Sequence, residues 1–547
     1  MGALLSVLRL VALLATAYVL LNVLKNYVTQ SPLDNIPGPP SAHWMKGNLG
    51  QLFNRAEWDF THGLGLKYGS VVKLHGMFGT RQLFVFDPVA LQSIIVKDQY
   101  VYEETPEFLG TMHCMFGDGL LATLGERHRK QRRLLNPVFS IAHMRHMLPL
   151  FYNITCKLQE AISVRVKGGQ QEIDMLDWMG RTALELVGQA GLGWSFDPLV
   201  ADAPDSHLGA AVKLVVPSLF PLRLFRPLLP LALKFGTPAL QRKLLALMPS
   251  KRLQRAKQIA DEIEKHARHI FEQKKRAMRE GDDAVTHQIG EGKDIMSKLM
   301  QANMSANDED KLPEDELLGQ VATFIFAGMD TTSNALARTL DLLSTHQNVQ
   351  DKLRAEILEA IREHGPEIPY DVLVELPYLD AVCRETLRLH APVPHLMRKT
   401  RKDIVMPLAQ PIRGVDGALI SEIPVPEGTA IHIAILASNR DPNLWGPDAA
   451  EWKPERWLSP VPEVVKDAHI PGVYSHLMTF LGGGRACIGF KFSQLEMKIV
   501  LVMLLSKFTF APSDKEIRWN IAGILYPTVG MDTRPAMPLK VGFVKST

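Results

Sequence analysis

Near the C-terminal end of this 547-residue chain, the run Phe480-Leu481-Gly482-Gly483-Gly484-Arg485-Ala486-Cys487-Ile488-Gly489 leads into an apolar stretch with helical spacing from Phe490. No other ten residues constrain the fold as much. A lone cysteine is usually a small buried hydrophobe, but this one has unusual neighbours. Successive glycines let backbone approach a flat ligand and converge N–H groups on one atom. A helix that starts just after Cys487 brings its positive dipole end toward the sulfur, and Arg485 adds a cation; both favour thiolate over thiol. Phe480 is placed to screen the sulfur from water. A screened thiolate pushes electron density onto a haem iron and promotes O–O cleavage.

Composition removes several other classes. A net charge of +3 is small for this length, and the basic run 125–133 has no interleaved aromatics, which excludes bulk nucleic-acid binding. Cys114, Cys156, Cys383 and Cys487 are widely spaced with no CxxC pair, so a disulfide framework or structural zinc is excluded and a reducing compartment is expected. Asn153-Ile154-Thr155 matches a glycosylation sequon, a chance match in a cytosol-facing domain.

The N-terminus is apolar from residue 3 to residue 24, broken by Arg9 and Asn22 and closed by Lys25. That length spans a bilayer as a helix. The rival is a cleaved signal peptide with Ala15-Thr16-Ala17 at the cleavage site, but the run continues past it and few cysteines follow. Met1-Gly2 with Ser6 also fits a myristoylation pattern. Ile36-Pro37-Gly38-Pro39-Pro40 cannot be helix and reads as a stiff spacer. The expected organisation is a membrane anchor over residues 1–27, a proline-rich hinge over 28–45 and one catalytic domain over 46–547. Within it, 71–75 and 82–86 read as strands joined through Gly76 and Gly79. Residues 140–390 are mainly helical, and strands follow at 404–406, 412–415, 418–420 and 430–435. A helix is expected over 490–508. The fold class is mostly α with a minor β portion, preceded by an N-terminal transmembrane helix. Residues 212–235 are apolar but interrupted by prolines. They are either core or a lip in the membrane interface, with Lys213, Arg223, Arg226 and Lys234 at headgroup level.

Phe480, Gly483, Arg485, Cys487 and Gly489 meet the pattern F-x-x-G-x-R-x-C-x-G in full, and here the sequence resembles the cytochrome P-450 superfamily. The resemblance implies the cytochrome P-450 fold and a haem with Cys487 as axial ligand to the iron. Two upstream motifs support it. Glu385-Thr386-Leu387-Arg388 is by itself only an i,i+3 ion pair. With Pro454-Glu455-Arg456-Trp457 between it and the cysteine, it matches the family's buried network, which gives Glu385, Arg388 and Arg456 structural roles. Ala327-Gly328-Met329-Asp330-Thr331-Thr332 lies in a helical pattern from about 314 to 344. Gly328 opens a groove for a diatomic ligand, and the Thr331 hydroxyl can bond a carbonyl one turn back and loosen the helix. The family likeness makes this the oxygen-activating helix, with Asp330 and Thr331 in a water-mediated proton relay.

Haem propionates need basic partners. By resemblance these are Arg132, Arg398 and Arg485; His128 stands where the family usually has tryptophan. Arg129, Lys130 and Arg133 are left for an acidic electron donor. Asn439 stands where histidine is frequent, a change expected to be minor. Family position lines the substrate pocket with Met112, His113, Met115 and Phe116, then Phe324 and Ala327, Val393 and His395, and Ile524 and Leu525. That apolar, methionine-containing lining suits a large hydrocarbon skeleton.

The resemblance therefore implies a monooxygenase that hydroxylates or successively oxidises an apolar small molecule with dioxygen. Electrons come from NADPH through an NADPH-cytochrome reductase, since the chain has no flavin or dinucleotide motif of its own. The pattern looks like fungal microsomal members in secondary metabolism. The expected location is the endoplasmic reticulum membrane, single-pass, with the catalytic domain in the cytosol and membrane lipid as a partner. Terpenoids, triterpenoid or sterol-like or sesquiterpenoid, lead as substrates; polycyclic aromatic xenobiotics come second. A haem-thiolate isomerase or dehydratase needs no proton relay, and a haem sensor has no use for anchor, relay and propionate clamp together.

Overall fold

The computed structural model describes residues 23–55, 58–201, 207–222, 226–281, 289 and 292–544. The expected anchor, with its cleavage-like and myristoylation-like residues, therefore falls outside the described residues up to residue 22, as does Arg223. Among the described residues no single helix is long and apolar enough to cross a membrane.

The body is built around the helix Glu314–Thr345, close to the span expected from sequence. Glu314, Asp315 and Glu316 in its first turn complement the positive end of the helix dipole. Its apolar residues face every direction because it is wrapped by the helices Met175–Leu186, Lys251–Glu280 and Phe490–Leu505. A five-stranded sheet stands at one side, in the order Val71–His75, Arg81–Val85, Ala430–Ile433, Leu396–Thr400, Tyr102–Glu103. Its single parallel pair, Arg81–Val85 with Ala430–Ile433, is connected through residues 86–429, which contain most of the helices. Parallel neighbours cannot be joined by a hairpin, so they need such a crossover.

Some expectations are corrected. Residues 404–406 and 412–413 belong to one strand, Ile404–Arg413, whose register slips between Pro407 and Ile412 where prolines interrupt the pattern, and Gly414 and Val415 fall in the turn that follows. The strand Gln171–Asp174 lies inside the region read as helical, paired with Pro538–Phe543. The proline run is non-helical, as expected, and it packs on the first strand: Pro37 accepts from the Lys73 backbone at 2.9 Å, and a side chain at Gly38 would collide with the Lys73 carbonyl. Thr155 of the sequon is fully buried in the helix Ile141–Val166, consistent with a chance match.

The apolar 212–235 segment divides. Val212 and Val215 join the core, whereas Leu228, Leu231 and Phe235 are exposed at 61%, 57% and 67%. Its two parts, Val215–Leu222 and Arg226–Ala232, are bent by 82°. Lys213 is not at the level expected for a headgroup contact. It turns inward and pairs with Asp177 at 3.0 Å.

Candidate active site

The cysteine loop is closed by the Cys487 N–H, which donates to the Phe480 carbonyl at 2.8 Å. Its glycines also serve the chain's own packing. A side chain at Gly482 would strike the Pro471 carbonyl, and one at Gly483, whose φ is 61°, would strike the Ile95 carbonyl. The helix Phe490–Leu505 starts after Gly489, whose backbone N–H reaches the Cys487 sulfur. The cation acting on that sulfur is Arg132; the sequence had pointed to Arg485. Arg132 donates to the Ala486 carbonyl at 2.8 Å and so straddles the loop. Burial nevertheless pushes the free thiol up, so the local field alone does not make a thiolate; a bound metal deprotonates a ligating thiol outright. Cys487 keeps accessible surface despite lying deep in the fold, so its sulfur opens onto an internal cleft. Phe480 sits edge-on to Tyr474 at 5.5 Å and beside Phe490 at 6.1 Å.

Basic groups gather beside this cleft. Arg398 and Arg485 meet at one buried carboxylate, Glu104, at 3.2 and 3.3 Å. Arg485 also donates to the Thr123 carbonyl at 2.6 Å. His128 is buried, and desolvation with the Arg485 and Arg132 charges pushes it down to about 3, so it is neutral and keeps one ring N–H to donate. A thiol open to an inner cleft, with Arg132, Arg398, Arg485 and a neutral His128 around it, fits haem: one sulfur for iron and several donors for two carboxylates.

The opposite wall is the central helix. Between Gly319 and Ala337 every residue is buried except Phe326, Ala327, Gly328 and Thr331. Inside a wrapped helix, those four mark a face on internal space. Thr331 Oγ1 donates to the Ala327 carbonyl at 2.8 Å, the back-bond expected from sequence. Gly328 makes room for Val187, which a Cβ would strike, so the expected diatomic groove is in part a packing contact. Asp330 points to a different place, a narrow cavity lined by Lys213, Asn334 and Ile524. Burial pushes its carboxyl up to about 7, opposed by the Lys213 charge and by a 3.2 Å bond from Asn334.

Of the expected pocket residues, Met112, Met115, Phe116, Phe324, Ile524 and Leu525 are buried, and Ala327, Val393 and His395 are half-buried. Phe116 stacks on Phe326 at 4.5 Å, a partner the sequence did not single out. Phe324 meets Phe139 edge-on at 5.8 Å. The Leu525 N–H donates to the Pro392 carbonyl at 2.8 Å, bringing Ile524 and Leu525 beside Val393. His395 sits between Phe53 at 5.5 Å and His432 at 5.6 Å, and burial pushes it down to about 4. His113 is a correction: it is exposed and bonded to Asp118 at 2.6 Å, which raises it.

Behind the cleft, Glu385 and Arg388 are fully buried and form a two-pronged pair at 2.8 Å on each prong. Trp457 Nε1 donates to Glu385 at 2.9 Å; Arg456 reaches it only at 3.4 Å and binds Asp448 at 3.0 Å. Arg388 also donates to the carbonyls of Ala449 and Asn439, at 2.7 and 3.0 Å. Asn439, expected to be a minor change, is the link onward. Its amide oxygen accepts from the Met478 backbone at 2.8 Å, and its amide nitrogen donates to Thr479 at 2.9 Å, on the approach to the cysteine loop. Of the cations left for an electron donor, Arg129 is over Tyr100 and Arg133 pairs with Asp310.

Comparison with known proteins agrees with this geometry. The cytochrome P-450 family model matches residues 37–532. The chain is 62% identical over 543 residues to cytochrome P-450 monooxygenase 91 of Postia placenta, covering 99% of this chain and 100% of that one. It is 52% identical to cytochrome P-450 monooxygenase 219 of the same fungus, over 95% of this chain and 96% of the relative. It is 48% identical to a ganoderic acid synthetase of Ganoderma lucidum, over 98% of each chain. With its haem-compatible cysteine loop, buried Glu–Arg pair and end-to-end similarity to named monooxygenases, the chain belongs to the cytochrome P-450 family and is a haem-thiolate monooxygenase.

Proposed function

We propose that this enzyme oxidises a large, apolar, terpenoid-type molecule, with Cys487 as the iron ligand and Asp330 and Thr331 supplying protons. The observation that carries this reading is the half-buried inner face Phe326, Ala327, Gly328 and Thr331 on a stretch of helix otherwise buried from Gly319 to Ala337. Haem, when bound, supplies the iron at which dioxygen is activated with electrons passed from NADPH by a reductase. Arg132, Arg398, Arg485 and His128 would hold its propionates. Thr331 gives its own hydrogen to Ala327, which leaves its oxygen lone pairs to order a water on the inner face. Asp330, with its pKa lifted to about 7, gains and loses a proton near neutral pH, and the Lys213-lined cavity is its supply side.

The buried methionines and phenylalanines favour a broad hydrocarbon surface, and the relative named as a ganoderic acid synthetase supports the terpenoid class. Titration of the haem-loaded enzyme with triterpenoids, sesquiterpenoids and polycyclic aromatics is expected to give a low-to-high-spin shift with the first two groups. A shift only with small polar or anionic ligands overturns the substrate class.

The location in this reading is the endoplasmic reticulum membrane, with the exposed Leu228, Leu231 and Phe235 dipping into the interface beside the N-terminal anchor. A chain lacking residues 1–30 is expected to keep normal haem spectra and part of its membrane attachment. Complete release into the soluble fraction contradicts the lip.

A further inference from the structure

A second cavity, of about 470 Å³, lies where the helix Trp58–Tyr68 begins, beside the central helix and the hairpin of Ile517–Asn520 and Tyr526–Val529. Its lining includes Arg55, Trp58, Arg338, His390, Arg440 and Trp519. The sequence gives no hint of it, because these residues come from five separate segments.

Among the described residues its charges do not balance. Arg338 pairs with Asp341 at 2.9 Å, and the same carboxylate accepts from Trp519 Nε1 at 2.8 Å. Arg518, also in the lining, pairs with Glu516. Arg55 donates only to the carbonyls of Met531 and Asp532, and Arg440 only to the carbonyl of Leu389; among the described residues neither has a carboxylate partner. His390 deepens the imbalance. Its Nε2 faces Arg338 at 3.2 Å and its Nδ1 faces Arg440 at 3.5 Å. Burial and the surrounding guanidiniums push the ring well down, so it is neutral. A neutral imidazole accepts at one nitrogen only, so it can accept from Arg338 or from Arg440 but not from both, and the other guanidinium faces an N–H. The buried Nε groups of Arg338 and Arg440 also lack any partner. Unsatisfied buried cationic donors are costly and mark a missing acceptor. Burial with the Arg338 and Arg388 charges lowers Arg440 to about 9, the direction of a site short of negative charge. Stacking of Arg440 on Trp58 at 5.5 Å and of Arg338 on Trp519 at 4.8 Å holds both guanidinium planes in place.

We propose that this cavity is a binding site for a phosphate-bearing anion, held on Arg440 and Arg55 with Arg338 and His390 completing the cradle. Guanidinium forks match phosphate oxygens two at a time. The volume falls in the range of small-molecule sites and exceeds what a bare ion needs, so the ligand carries more than the phosphate. A soluble phosphate ester and a lipid headgroup share this chemistry.

The test uses the full-length, haem-loaded protein in detergent at low ionic strength, with pyrophosphate as probe and tryptophan fluorescence from Trp58 and Trp519 as the readout. A saturable change that chloride at equal ionic strength does not reproduce is expected. Affinity should fall about tenfold or more in Arg440→Gln and in Arg55→Gln, with the Soret band unchanged. Arg55 makes only exposed backbone bonds, so its variant reports even where Arg440→Gln folds poorly. Short-chain phosphatidic acid then competes: tighter binding than pyrophosphate assigns a lipid headgroup, and weaker binding assigns a soluble ester. A response equal to that of chloride, or an unchanged affinity in Arg55→Gln, overturns the site.

Discussion

An Arg388→Ala enzyme is expected to lose on the order of 3–5 kcal/mol of stability, because removing one partner of a buried ion pair strands the other charge. Here the stranded group is Glu385, fully buried and held by both prongs of the arginine. The loss extends past the pair, since Arg388 also satisfies the carbonyls of Asn439, Ala449 and Glu451. Through Asn439 the same network holds the backbone of Met478, nine residues before the cysteine. Haem content is therefore expected to fall together with the unfolding midpoint. Arg388→Lys should rescue little, because an ammonium cannot replace a fork that bonds one carboxylate and several carbonyls. Denaturant unfolding of haem-loaded variants checks this. A loss under about 1 kcal/mol would show that the network is not the brace described.

A second large effect is expected at the proton relay. General acid–base groups contribute roughly 10²–10⁴-fold to rate, so Asp330→Asn should slow turnover by about two orders of magnitude. Thr331→Ala should keep haem incorporation but divert NADPH into peroxide. Unchanged product per NADPH in Thr331→Ala removes that residue from the relay. Turnover in the parent enzyme should change with pH near the Asp330 value of about 7, and Asp330→Asn should flatten that limb. Stability carries the same signature. The folded pKa lies above the ordinary carboxylate value of 3.8, so between the two the folded chain holds a proton that the unfolded chain has released. The resulting penalty is absent below pH 3.8, grows as pH rises to about 7, and is constant above it. Asp330→Asn should therefore stabilise the fold more at pH 8 than at pH 4.

Most of the fold was legible where one pattern dominates. The central helix was located almost to the residue, because three acids open it and apolar residues fill it. The Glu385–Arg388 contact and the Thr331 back-bond follow from helical spacing, whereas the role of the cysteine loop and the burial of the pair came from the family resemblance. What escaped depends on distant parts of the chain. Gln171–Asp174 is short and polar and becomes a strand only by pairing with Pro538–Phe543. Glu104 has no local motif, yet it binds two of the expected propionate arginines. Lys213 read as a surface cation in an apolar run, and its inward turn rests on Asp177 from another helix. His113 failed for a similar reason: the sequence places it in the pocket loop, while Asp118 holds it on the exposed side. The close approach of the Pro471 and Ile95 carbonyls to the glycines beside Cys487 was not legible either, since those carbonyls come from other parts of the chain.

The central claim is that Cys487, alone among the cysteines, gives this enzyme its haem-thiolate chemistry. Cys114 and Cys156 are exposed on other elements, and Cys383 is buried with its thiol pushed up to about 12. The direct measurement is the absorption spectrum of the reduced enzyme with carbon monoxide, recorded for the parent, for Cys487→His and for a Ser substitution at each other cysteine. The thiolate-type Soret band is expected in the parent and in the three serine variants and is expected to vanish in Cys487→His while the fold persists. Survival of that band in Cys487→His, or its loss in a folded variant at Cys114, Cys156 or Cys383, would contradict the account.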